Sequence, residues 1–265
     1  MRSRLSGRSG SPGRAALLLA ALLSALALPA PAGAQTLARS ENWAGYAVTA
    51  QAPFRRVLGE WVQPAPRCSP GAPSFSAFWV GLGGFRPASR KLEQIGTDSD
   101  CGPMGRVRSY AWYELIPAAP INLSMKVRPG DRIAASVTVA GSSIALHIRD
   151  LTDGAADLVR RRMRSPDLSS AEWIAEAPTG CEESGCRVLP LADFGTVSFS
   201  NALSAVAGRP ALPAGSSAYR LTQLDLSAGG LAGSGTDSAA GANSLPLLAS
   251  AGPLAGAGTF SVSFG

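Results

Sequence analysis

Arg132-Ile133-Ala134-Ala135-Ser136-Val137-Thr138-Val139-Ala140 follows the turn Arg128-Pro129-Gly130-Asp131, and after a Gly-Ser-Ser break comes Ile144-Ala145-Leu146-His147-Ile148-Arg149-Asp150. Both runs are short, rich in β-branched residues or alternating, and bounded by turn residues, which is the signal of strands. In the turn, Pro presets φ and Gly accepts a positive φ. A hairpin between residues 121–127 and 132–140 is therefore expected. Working outward, the same pattern recurs at residues 43–49, 56–62, 74–81, 107–115, 172–176, 197–199, 219–226 and 259–264. Many short strands separated by turn signals describe an all-β protein, an antiparallel sandwich or barrel. No stretch after residue 34 keeps a helical period over three turns.

The first 34 residues combine Arg2, Arg4, Arg8 and Arg14 with an apolar run and then Ala32-Gly33-Ala34. That is the layout of a secretory signal peptide. Residues 35–265 are then expected to form a single β-sandwich domain, soluble and exported, with no membrane attachment. Residues 227–258 are dominated by Gly, Ala and Ser and read as a surface insertion before a final strand. The formal charge is +6, from 24 basic and 18 acidic residues. Four of the basic residues lie in the leader, and the remaining 20 against 18 offer no concentrated basic face for nucleic acid. The one dense cluster, Arg160-Arg161-Arg162-Met163-Arg164, reads as a solvated loop or hairpin end. Four cysteines in an exported chain imply two disulfides, with three possible connectivities.

Absent residues prune the chemistry. His147 is the only histidine, set in an alternating strand away from any nucleophile motif. A Ser-His-Asp or Cys-His site would have to be built on it, and there is no Gly-x-Ser-x-Gly elbow. Zinc hydrolysis usually needs at least two histidines. Aspartic-protease chemistry needs two Asp-bearing loops, and Thr97-Asp98-Ser99 has no second copy. What remains is a carboxylate and a carboxamide: Glu172-Trp173-Ile174-Ala175-Glu176, and the lone Gln94 in Leu92-Glu93-Gln94-Ile95-Gly96. A period of two sets Glu172, Ile174 and Glu176 on one face. The two carboxylates are ~13 Å apart along the strand, too far to share a proton. Residue type alone leaves Glu176 and Gln94 open to a second reading as solvated side chains.

Asn42-Trp43-Ala44-Gly45-Tyr46, Trp79-Val80-Gly81-Leu82-Gly83-Gly84, Ala111-Trp112-Tyr113-Glu114 and Asp193-Phe194-Gly195-Thr196-Val197 add context to that pair. In order and spacing they resemble the glutamic peptidases, the eqolisins, in a bacterial-type form. The resemblance implies two packed, bent antiparallel sheets of a concanavalin-like sandwich, with the active site on the concave face. It implies an acid-active endopeptidase that takes protein or peptide substrates, uses no cofactor or metal, and is expected to be a monomer. Glu176 matches the catalytic glutamate and Gln94 the catalytic glutamine. Ionised Glu176 would take a proton from water, Gln94 would donate to the oxyanion, and Glu176 would then protonate the leaving amine. Trp79, Asp98, Trp112, Tyr113 and Glu114 match positions that line the cleft or orient the dyad. Trp79 and Trp112 also suit a core, and Trp43 and Trp61 read as structural. Cys68 with Cys101 and Cys181 with Cys186 is the favoured pairing, since the second pair closes a short loop found at this place in the family.

The chain departs from the family pattern at two places. Gly83 stands where the family commonly has Asp, which removes a carboxylate near the dyad. Leu115-Ile116 stands where the family has an aromatic pair. Two other functions fit an all-β sandwich: a non-catalytic glycan- or peptide-binding module, and a glycoside hydrolase using Glu172 and Glu176. The spacing of those two exceeds the ~5–9.5 Å such hydrolases use.

Overall fold

The computed structural model describes residues 35–183, 185–228, 246–256 and 258–265, and every regular element among them is a strand. The expected signal peptide at 1–34 and most of the Gly/Ala/Ser-rich stretch lie outside the described residues. One hydrogen-bonded path folds back on itself to make two layers. It begins with β10 (Ala156–Arg162), β9 (Ser143–Asp150), β8 (Arg132–Ala140), β3 (Phe54–Val62), β14 (Thr196–Val206) and β18 (Phe260–Phe264). It turns through β17 (Leu247–Ala251) and β16 (Arg220–Ser227) into β2 (Trp43–Thr49), β11 (Ser170–Glu176), β4 (Ala77–Gly83), β5 (Leu92–Cys101), β6 (Val107–Leu115) and β7 (Ile121–Lys126). The path pairs are antiparallel; β1 (Thr36–Ser40) adds a parallel pairing on β16, and β15 (Leu212–Pro213) pairs with β14. A separate hairpin, β12 (Thr179–Glu182) and β13 (Gly185–Val188), follows the Glu176 strand.

β3, β8 and β9 pack across β4, β5 and β11, and the space between is filled by alternate residues of each strand. Ala171, Trp173 and Ala175 point inward from β11, as their period of two requires. Two indole N–H groups carried into this core are paired across the layers. The Trp173 indole N–H donates to the Leu58 carbonyl at 2.7 Å, and that of Trp61 to the Thr97 hydroxyl at 3.0 Å. Disulfides join Cys68 to Cys101 and Cys181 to Cys186, as expected.

Four expectations are corrected. The 128–131 turn forms, with the Asp131 N–H on the Arg128 carbonyl at 3.1 Å and Gly130 at φ 90°, but its flanking strands do not pair. β7 pairs with β6, while β8 already has β3 and β9 on its two sides, so the turn is a corner between layers. β5 is unforeseen because its polar residues mask the strand signal, although all ten are buried. Within the expected insertion, residues 247–251 form β17, closing the path between β16 and β18. The arginine cluster lies largely on β10, with Arg160 and Arg162 exposed and Arg161 set over the Tyr113 ring at 5.3 Å. β10 and β7, the two ends of the path, lie side by side, and Asp157 accepts the Met125 backbone N–H at 2.9 Å.

Candidate active site

The outer face of β11-β4-β5-β6 carries three rows of paired residues. One row reads Glu172, Gly81, Gln94, Glu114; the next Ile174, Trp79, Gly96, Trp112; the third Glu176, Ala77, Asp98, Tyr110. Gly96 is a requirement of this surface, since a Cβ there would come within 2.5 Å of the Trp79 side chain. On a flat sheet, two strands and four residues would separate the Cα atoms of Gln94 and Glu176 by ~16 Å. Both side chains nevertheless line one cavity of about 350 Å³, together with Asn42, Trp43, Asp98, Trp112 and Glu114. Leu92 and Ile116 close one part of it, and Pro178, Thr179 and Cys181 bring the disulfide-linked hairpin to another.

Glu176 accepts a hydrogen bond on each oxygen, from Asn42 Nδ2 at 2.9 Å and from Trp79 Nε1 at 2.6 Å. Trp79 is itself fully buried and meets Trp43 edge-on at 5.0 Å. Gln94 Nε2 donates to Glu114 Oε2 at 2.6 Å, which leaves its second N–H for a ligand. Asp98 accepts from Trp112 Nε1 at 2.5 Å and from the Tyr110 hydroxyl at 2.7 Å, and Tyr110 also lies 3.0 Å from Asp100.

The carboxyls of this cavity hold their protons unusually well. Burial raises Glu176 to about 8; the Trp79 N–H opposes the rise, and the nearby Glu114 and Asp98 charges add to it. Burial, then the Asp100 charge, raises Asp98 to about 7 against the pull of Tyr110 and Trp112. Burial also raises Glu114, against the Gln94 N–H. Groups this close titrate as a set. Against the expectation that Glu176 stands ionised in acid, its surroundings at the cavity wall favour the protonated form.

The structure brings Gln94, Glu176, Trp79, Asp98, Trp112 and Glu114 together and leaves Tyr113 out. Between Trp112 and Glu114 the alternation turns Tyr113 inward, into the core, where its hydroxyl accepts from Arg161 Nε at 3.0 Å. The expected role of Tyr113 in substrate contact is thereby corrected. Trp43, expected to be structural, lines the cavity instead. Trp61 is core. Asn42 and Tyr110 were not anticipated as site residues; Tyr110 could have been found two residues before Trp112 on the same strand face. Glu172 is fully buried, neither oxygen meets a donor in ordinary geometry, and burial holds its pKa well above the usual range. It does not line the cavity, which removes the two-glutamate arrangement of a glycoside hydrolase. Gly83 contributes no side chain, and Asp167 fills the space one would take.

Residues 41–232 match the family model described as the peptidase A4 family. Aspergillopepsin-2 of Aspergillus niger is 28% identical over 209 residues, spanning 69% of this chain and 71% of its own. Among solved structures, scytalido-glutamic peptidase with a transition-state analog inhibitor superposes with a TM-score of 0.66 at 22% identity, covering 85% of this chain and 98% of that one. Aspergilloglutamic peptidase from Aspergillus niger superposes with a TM-score of 0.55 at 24% identity, covering 72% and 99%.

Proposed function

Since the chain belongs to the peptidase A4 family and is thus a glutamic endopeptidase, we propose that it cleaves peptide bonds in acid with Glu176 and Gln94 as its catalytic pair. The observation that carries this reading is their meeting in one cavity, with a donor on each Glu176 oxygen and a free N–H on Gln94. An extended peptide placed across the cavity would set its scissile carbonyl between them, with Trp43 and Trp112 as walls that exclude water.

Because Glu176 rests protonated in acid, its two oxygens have different tasks. The oxygen without a proton accepts one from the attacking water, while the O–H gives its proton to the scissile carbonyl oxygen. The product is a neutral tetrahedral diol, and no net charge is created in a cavity of buried carboxyls. The second Gln94 N–H hydrogen-bonds the oxygen on which charge develops during attack, a contact worth roughly 3–4 kcal/mol when preorganised. In collapse, Glu176 passes its proton to the amide nitrogen and recovers one from a diol hydroxyl, so the C–N bond breaks and the carboxyl ends as it began. Glu114 holds Gln94 in the required orientation. The leader-like first 34 residues and the two disulfides support secretion.

Glu176→Gln and Gln94→Ala are each expected to lower cleavage of an acid-unfolded protein at pH 3–5 by at least ~10²-fold, with far-UV spectrum and melting unchanged. Full activity in either variant refutes the pair. Absence of cleavage in the wild type, with peptide still bound, would point to a binding module.

A further inference from the structure

We propose that Asp167 is a positioning residue that fixes the Gln94 strand against the Glu176 strand, a role that rests on the Glu/Gln reading above. Asp167 lies in the connection from β10 to β11, where the ends of three strands meet. Gly83, the last residue of β4, pairs with Leu92, the first residue of β5, and its neighbour Leu82 pairs with Ala171 of β11. Into this junction Asp167 sends one carboxylate oxygen to the Ser89 hydroxyl, in a short hydrogen bond, and to the Gly84 N–H at 3.4 Å. Its other oxygen accepts the Ser169 N–H at 2.9 Å, and its own N–H donates to Glu93 Oε1 at 3.3 Å. One side chain thus ties the loop that enters β5 to the segment that enters β11. Lys91 repeats the tie from the opposite direction, its Nζ donating to the carbonyls of Arg164 at 2.7 Å and Ser165 at 2.6 Å.

The fit is made by omission at position 83. Gly83 has φ +83°, and a Cβ built on it would lie 2.6 Å from the Asp167 Cβ and 2.9 Å from its Cγ. Any side chain at 83 would expel the carboxylate. Burial raises the Asp167 pKa, and the donors from Ser89, Ser169 and Gly84 more than reverse that, leaving it below the usual aspartate value. Gln94 follows Leu92 by two residues on β5, and Glu176 ends β11. Movement at this junction is transmitted along both strands to the catalytic pair without any contact between Asp167 and substrate. A misplacement of ~1 Å in such a pair costs about 10²-fold in rate.

Asp167→Ala, Ser89→Ala and the double variant test this in the full chain, with kcat and KM on a fluorogenic peptide, melting temperature, and hydrogen exchange of residues 84–94. Asp167→Ala should lower kcat ten- to a hundredfold with KM within twofold, and exchange at 84–94 should accelerate. Ser89→Ala should lower kcat several-fold, and the double variant should lose less than the two single losses combined, because both remove the hydrogen bond between these side chains. Should Asp167→Ala fail to fold, Ser89→Ala should still lower kcat several-fold. A kcat within twofold of wild type in Asp167→Ala or, where that variant does not fold, in Ser89→Ala overturns the proposal, as do additive losses in the double variant or unchanged exchange. An inactive wild type would instead sink the Glu/Gln reading, while exchange would still decide whether the clamp exists.

Discussion

Replacing Glu93 by Gln should remove one large contribution to the fall of stability with rising pH. Glu93 lies on β5 next to Gln94 but faces the other way, fully buried, with one oxygen on the Asp167 N–H and the other without a donor. Burial, the largest cause, raises its pKa from 4.5 to about 8. The folded state therefore binds the proton more tightly than the unfolded chain does. The stability this confers is complete below about 4.5 and is lost as the pH rises through about 8. Each pH unit within that window costs about 1.4 kcal/mol, or roughly 5 kcal/mol across all of it. That is a large part of the 5–15 kcal/mol typical of a folded domain. Gln has the shape of the protonated acid and cannot ionise. Glu93→Gln should match the parent at pH 4 and exceed it by about 3 kcal/mol at pH 7, or ~6–12 °C in melting temperature. Thermal and urea melts followed by circular dichroism, in a Glu176→Gln background to prevent autolysis, would measure this. A difference between the two proteins that does not change with pH would refute the argument.

With protonated Glu176 as the working form, kcat/KM should be level in acid and fall as the pH rises through 7–8, the range set by Asp98 and Glu176. Trp79→Phe, which removes the donor that lowers Glu176, should move that fall to higher pH by roughly one unit; a profile that rises with pH would identify the ionised carboxylate as the active form. Cys68→Ala with Cys101→Ala, opening a loop of sequence separation 33, should cost about 4 kcal/mol in denaturant melts. Cys181→Ala with Cys186→Ala, at separation 5, should cost only about 2 kcal/mol while raising KM through the cavity-lining Thr179. Equal costs for the two pairs would contradict the loop-entropy account.

Legibility followed burial and local pattern. β8 was readable to the residue because one face meets the core and the other does not, so the alternation survives in the sequence, while β2 and β6 were readable from their aromatic and β-branched content although neither alternates in burial. β5 was not, because it is buried on both faces and its second face holds Gln94, Asp98 and Asp100, whose polarity imitates a loop. The period of two in Glu172–Glu176 gave the face of Glu176 correctly. The same rule applied to Trp112-Tyr113-Glu114 would have turned Tyr113 inward. What no local pattern carries is the pairing of β11 with β4 and of β4 with β5, which alone brings residues 94 and 176 to one cavity. The resemblance to the glutamic peptidases supplied that contact. The raised pKa of Glu176 was also beyond the sequence, since it depends on how many neighbours exclude water from it.

The meeting of β10 with β7 bears on how such a protein survives its own substrates. Unfolded polypeptide readily adds to any sheet border that offers unpaired amides, and such addition seeds aggregates. Here the Asp157 carboxylate occupies an amide of the β7 border, and the exposed guanidinium groups of Arg160 and Arg162 would lose hydration if an uncharged strand paired with β10. At this rim, strand addition would therefore have to displace an existing hydrogen bond and strip water from charged groups.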